Sequence, residues 1–499
     1  MQTIRFTEPT SRVNLMVHGQ GVVLFETQGD CTLTFLNKDG TDGLTVTLNS
    51  KEFLTEHIAN KDKYVSQGKN SGLSTKSGSY YWYSLDSQNQ RFLAGVGEPR
   101  VETACYTYQF DSTDKLWEAN KTLLESLVYV TFSESVKPIR LLKDPITLTV
   151  PLLLKASSEL TMDDVAGSSY LPNSALSPAA QAMYNCVSGK NFVLNTPDFP
   201  EFTQAIEYSI KTPGMWCNTR LKQKSTEFGK DPQPLETYLR ITLGQNNGES
   251  PGIPYVMEIW PVGHYSPIHN HGGANAVIRV LHGSIHVSLF PFLCDDDGGV
   301  EPFGEKDFKK DDITWISSTL NQIHKLKNLD TNTDTCITIQ CYMYDIGDTK
   351  HYDYFDYTGT NGGKNQYEPD SDMDFIEFKK TMRKEWDASP EVKFSRRRNN
   401  PMITISRAPP VVPATNQVIQ IAPRPADQPV VKPIRVKKQA SRPVVPPVVP
   451  TPKSIKQLVA PASKPVVQTE PVNMQEVKPV TRLSASDLNF LVHRQKPKF

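Results

Sequence analysis

A chain of 499 residues exceeds one ordinary domain and points to two or three. Its charges balance at 54 basic and 54 acidic residues, but unevenly: from Glu391 onward 19 Lys/Arg face 5 Asp/Glu. An acidic body thus precedes a basic tail, which becomes a candidate contact for a protein or another acidic partner. Seven scattered cysteines contain no Cys-x-x-Cys pair, which argues against a disulfide framework and against a zinc-thiolate site. The N-terminus lacks a basic region followed by an apolar stretch, and no run approaches the roughly 18 apolar residues of a membrane span. The expectation is a soluble, cytoplasmic protein.

In chain order, residues 1–165 read as short strands at 21–27, 31–37, 43–49, 79–87, 105–110, 127–132 and 146–154, with one helix near Lys115–Ser126. Asn37–Gly40 supplies a turn. This is the pattern of a separate all-β, sandwich-like domain of unknown function. Tyr80–Tyr83 is an aromatic stripe that either fills its core or lines a ligand cleft. Small polar residues across 166–189 read as a linker. In 190–387, Asp198 stands where it can cap a helix with Phe202, Ile206 and Ile210 on one face. Strand-like segments follow at 237–243, 255–260, 275–281, 284–292, 312–317 and 336–344, then a helix near Phe375–Trp386. One helix before many strands suggests a small β-barrel with a helical entrance. Residues 388–499 read as a disordered tail: 18 of the 38 prolines fall in 391–499, and aromatics nearly vanish there.

Seven of the ten histidines lie between His264 and His351. His269 and His271 stand two apart, so on a strand both rings share a face. His324 is the candidate third imidazole, beyond a long acidic loop. Three neutral imidazoles suit iron, zinc, copper or nickel, and spacing does not choose among them. A three-histidine site adds no negative charge, so the metal keeps its full pull on a thiolate, which favours iron for a thiol substrate. His264, His282 and His286 read as ordinary polar or core residues.

These residues resemble a known family. Tyr255–Phe292, with Gly263 six positions before the His-x-His pair and Gly283 closing the next strand, resembles the first motif of the type I cysteine dioxygenases, members of the cupin superfamily. His324 followed by Asn328 is similar to the second motif. Tyr238 and Arg240 match the Tyr-x-Arg that meets the amino-acid carboxylate, and Tyr342 falls where the family keeps an active-site tyrosine. His351–Asp356 is similar to the family's C-terminal strand region.

The resemblance covers about residues 190–360 and implies a cupin-type double-stranded β-helix. It further implies one iron(II) per chain on His269, His271 and His324, with O2 as co-substrate. Cysteine would become cysteine sulfinate, a step of cysteine catabolism towards taurine, in a monomeric catalytic domain. Arg240 would grip the substrate carboxylate as a two-pronged pair, with Tyr238 beside it and Tyr342 holding the complex together.

The chain also departs from the family. Ala276 occupies the position of a cysteine that animal members cross-link to the tyrosine, so Tyr342 is expected as a plain phenol. Thr338 and Gln340 replace a Ser and His relay, and glutamine cannot shuttle a proton as imidazole does. Met343-Tyr344 stands where Ser-Pro is common. Two other readings therefore stand beside cysteine: a different small thiol, such as 3-mercaptopropionate or cysteamine, and a non-catalytic cupin serving as a binding or structural module.

Overall fold

The computed structural model describes residues 2–67, 72–243, 255–294, 299–345, 354–359 and 362–392. Alternating apolar positions shape its first part. In Cys31–Asn37 every second residue is buried, and the opposed strand Gly43–Leu48 behaves likewise. Such strands form two six-stranded sheets stacked face to face. Between them Phe25, Phe35, Phe53, Tyr83, Phe92 and Tyr106 interlock. Tyr81 and Tyr83 point into this core, while Trp82 turns the other way into a second buried cluster with Val22, Leu24 and Ile146. The aromatic stripe therefore fills cores. The helix expected near Lys115–Ser126 spans Trp117–Ser126.

Two expectations need correction around the junction. Of the strand expected over 146–154, only the last residues pair: Leu153–Lys155 joins the barrel sheet rather than the sandwich. The stretch 166–189 is packed structure, not a free linker. Tyr170–Pro172 pairs in parallel with Leu153–Lys155, and helix Pro178–Val187 buries Ala179, Ala180, Met183, Tyr184 and Val187. The Ser177 side chain accepts from Ala180 N at 3.3 Å, and Pro178 opens the first turn. Small alanines that resemble linker composition here let the helix lie close against the sheet.

The second part is a barrel of two facing sheets. One places Cys336–Met343 between Asn275–His282 and Tyr255–Trp260, with Leu239–Leu243 beyond. The other runs Gly304–Lys309, Ser284–Leu289, His324–Lys327, Ile268–His269, Phe355–Thr358, Lys364–Tyr367. The chain turns from the first sheet into the second at Gly283, where φ is +68° and an added Cβ would stand 2.7 Å from Thr335 O, which leaves no room for a side chain. This is a cupin-type double-stranded β-helix.

Side-chain alternation decides what faces inward. Leu239, Ile241, Met257, Ile259, Ile337 and Ile339 pack outward, against Phe202, Ile206, Leu221, Phe378 and Met382 of the covering helices. The intervening residues, Arg240, Glu258, Thr338, Gln340 and Tyr342, consequently line the interior. The entrance helix spans Phe202–Lys211 with Glu201 at its N-cap, so Asp198 does not cap it. Asp198 instead pairs with Lys379 Nζ at 2.9 Å and anchors the helix Phe375–Ala388.

Sandwich and barrel belong to one unit. Among the described residues no helix is long and apolar enough to cross a membrane. The tail from 393 onward, with Arg396–Arg398 and Lys437–Lys438, lies outside the described residues, as do His351–Asp353.

Candidate metal centre

His269 ends the short strand Ile268–His269, where it lies opposite His324 in register. His271 follows in a turn formed with Gly272 and Gly273, both at positive φ. The pair thus reaches a common interior, although the strand stops before His271. Ring centroids lie 5.1, 4.7 and 4.9 Å apart, and one nitrogen from each ring falls within 4.8 Å of the others.

Two backbone carbonyls orient the rings. His269 Nδ1 faces Pro267 O at 3.0 Å and His324 Nδ1 faces Asn321 O at 3.0 Å. A ring nitrogen against a carbonyl carries the proton, so each Nε2 presents a lone pair to the interior. His324 Nε2 lies 3.2 Å from His271 Nε2. Metal–imidazole bonds run about 2.0–2.1 Å, so one ion can touch both nitrogens across that gap. Burial drives His269 down to about 4 and His324 to about 3, and holds His271 well below the ordinary range. Neighbouring imidazoles add to this at His271 and His324, and Arg240 adds at His269. Three neutral, inward-facing imidazoles are a donor set that fits a divalent first-row metal.

The triad faces a cavity of about 60 Å³. Space for a water-sized centre is about 10–15 Å³, so a few-atom ligand can be held. Its walls are apolar at Val280, Ile285, Leu289, Leu326 and Phe355, and polar along one side. There Arg240 Nη1 donates to Glu258 Oε1 at 2.7 Å. Gln340 Nε2 donates to Glu258 Oε2, and the Tyr342 hydroxyl donates to Gln340 Oε1. Burial opposes the Arg240 charge, and Glu258 together with Tyr238, Tyr342 and Tyr367 more than offsets that penalty. Burial likewise pushes the Glu258 carboxyl upward, with Arg240 and Gln340 acting against it.

The expected residues are therefore brought together, with one addition. Arg240 and Tyr342 line the cavity, and Tyr238 does so with its ring stacked on Trp260 at 4.1 Å. Tyr342 stacks against His271 at 5.5 Å, and Ala276 lies opposite it in register, a methyl where a thiol would stand. Glu258, which the sequence reading missed, already occupies the guanidinium expected to meet substrate. A carboxylate inside the otherwise apolar strand Tyr255–Trp260 was the available signal, and its register with Arg240 needed the sheet. His264 and His286 stand apart from the triad, bonded to Thr237 and Asp307.

No family model matches the chain. Among solved structures it is similar to the Schizosaccharomyces pombe Cnp3 cupin domain, with 14% identity over 22% of this chain and 66% of that one, at a TM-score of 0.17. It is also similar to the Cupin_2 domain of an XRE family transcriptional regulator from Enterobacter cloacae: 14% identity, 22% of this chain, 97% of that chain, TM-score 0.17. An oxalate oxidase in complex with the substrate analogue glycolate overlaps 21% of this chain and 51% of its own, at 15% identity and a TM-score of 0.17. These overlaps concern about a fifth of the chain.

Proposed function

We propose that the barrel is an iron(II) dioxygenase for a small thiol, and that the preferred thiol carries no carboxylate. The observation that carries the reading is the turning of His269 and His324 by backbone carbonyls so that their Nε2 atoms, with that of His271, converge at the cavity wall. Iron(II) held there would supply the redox chemistry by which a thiol and O2 become a sulfinic acid, R–SH + O2 → R–SO2H. Both oxygen atoms end on sulfur, so no further reductant is needed.

This chain's residues do the rest. The imidazoles stay neutral and add no negative charge that would repel a thiolate. The apolar walls exclude water. Tyr342 keeps its proton on the phenol, since burial and Glu258 push it well above its ordinary range and Gln340 accepts its hydrogen bond. Gln340 passes no proton onward; it fixes the positions of Tyr342 and Glu258.

Glu258 bears on the substrate class. With Arg240 already paired, a substrate carboxylate would enter a buried site beside a second carboxylate, which costs several kcal/mol. A thiol such as cysteamine avoids that cost. Full-length protein loaded with iron should consume oxygen with cysteamine at a kcat/KM at least about 10-fold above that with cysteine or 3-mercaptopropionate. Preference for cysteine would overturn the substrate class and leave the dioxygenase. Bound iron with no uptake on any of the three thiols would overturn the dioxygenase itself.

A further inference from the structure

The sandwich reaches the metal centre through one buried carboxylate. After strand Arg91–Val96 the chain turns at Gly97, where an added Cβ would stand 2.3 Å from Pro291 O of the barrel. That close approach carries the next residue, Glu98, into the barrel, with its backbone N donating to Pro291 O at 2.7 Å. Its side chain is fully buried and accepts from Asn321 N at 2.8 Å and from Gln322 N at 3.3 Å. Arg100 Nη1 donates both to Glu98 Oε1 at 2.9 Å and to Asn321 Oδ1 at 2.6 Å.

Asn321 and Gln322 are the residues behind the ligands. Asn321 holds φ at +63°, a conformation unusual outside glycine, and its carbonyl orients His324 Nδ1. The side chain of Gln322 accepts from Gly273 N at 3.1 Å and donates to Ala274 O at 2.8 Å, gripping the turn that follows His271. A buried carboxylate is costly unless its partners are well placed. Here they are two consecutive N–H groups of the turn that aims one ligand directly and steadies the loop of another.

We propose that Glu98 and Arg100 are positioning residues of the metal centre, clamping the Asn321–Gln322 turn so that His324 and His271 keep their ligating geometry. The sandwich is then part of the metal site rather than an appendage. This rests on the metal-centre reading above.

The test is cobalt(II) binding to the full chain, followed by its visible absorption and by competition with a chelator. Wild-type protein should bind about one ion. Glu98→Gln, which keeps the shape but sets an amide against N–H donors, should weaken cobalt affinity by about 10–100-fold and shift the visible bands. Glu98→Asp should recover part of the affinity. Ser318→Ala removes a different sandwich-to-barrel hydrogen bond, from Arg140 at 3.0 Å, and should alter neither. Arg100→Lys, which loses the fork to Glu98 and Asn321, carries the same expectation where Glu98→Gln lowers the folded yield. Folded Glu98 and Arg100 variants with wild-type affinity and spectrum would overturn the clamp while leaving the metal centre in place. Wild-type protein that binds no cobalt would overturn the metal centre, and the clamp with it.

Discussion

The sandwich and the barrel are both made of antiparallel strands with alternating burial, and both close over an interior. They differ in what the inward positions hold. In the sandwich those positions are large rings: Phe35 lies 5.4 Å from Tyr83, and Phe92 stacks on Tyr108 at 6.1 Å, so rings occupy its centre. In the barrel the equivalent positions carry histidines, an arginine, a glutamate and a glutamine around a cavity of about 60 Å³. The same strand grammar thus yields a packed interior in one case and a polar-sided cavity in the other. Inward side-chain chemistry, not fold class, separates them.

Four changes would break or sharpen that comparison. The largest effect belongs to His324→Ala, which should remove a ligand, reduce bound iron to background and cut thiol-dependent oxygen uptake by at least about 100-fold; metal analysis and an oxygen electrode read both. Phe35→Ala should do the opposite. It should lower stability by about 3–5 kcal/mol in chemical denaturation by opening the sandwich core, yet leave one metal per folded chain. Loss of metal from folded Phe35→Ala protein would mean that the two interiors are more tightly coupled than the Glu98 clamp alone provides.

The third concerns pH. The folded imidazoles of His269 and His324 titrate at about 4 and about 3, against an ordinary 6.5. Between those limits the unfolded chain binds more protons, so the metal-free protein should lose stability as pH falls from about 6.5 towards about 4. These two rings give a slope of up to about 3 kcal/mol per pH unit, about 1.4 for each proton taken up on unfolding. Denaturant titrations of metal-free protein measure it, and a flat profile would mean that the rings are already protonated when folded. The smallest effect is expected from Glu258→Gln. Freed of its partner, Arg240 becomes available to a substrate carboxylate, and kcat/KM for cysteine should rise relative to cysteamine by about 10-fold. An unchanged ratio would remove Glu258 from the specificity argument.

Much of this was legible in local pattern. The period-2 alternation of Cys31–Asn37 announced a half-buried strand, and the spacing of His269 and His271 placed both rings on one side. Misreadings arose where residue type had two meanings. Alanine and serine across 166–189 signal flexible chain by composition, but in Pro178–Val187 their small size permits close helix-to-sheet packing. Asp198 looked like a cap because aspartate commonly is one, whereas a lysine distant in sequence claims its carboxylate.

Sequence by itself determined the strand-rich character of both regions and the nearness of His269 to His271, because alternation and short spacing are local properties of the backbone. It also marked His324, Arg240 and Tyr342 as candidates through a motif. Only the tertiary structure decided that Arg240 is already paired. Burial beside Glu258 depends on the register between two strands, and the strength of that pairing depends on exclusion of water. Only the tertiary structure, likewise, joined Glu98 to Asn321 across 223 residues of chain. A contact of that range leaves no periodic or compositional trace, because neither partner's sequence neighbours specify the other's position.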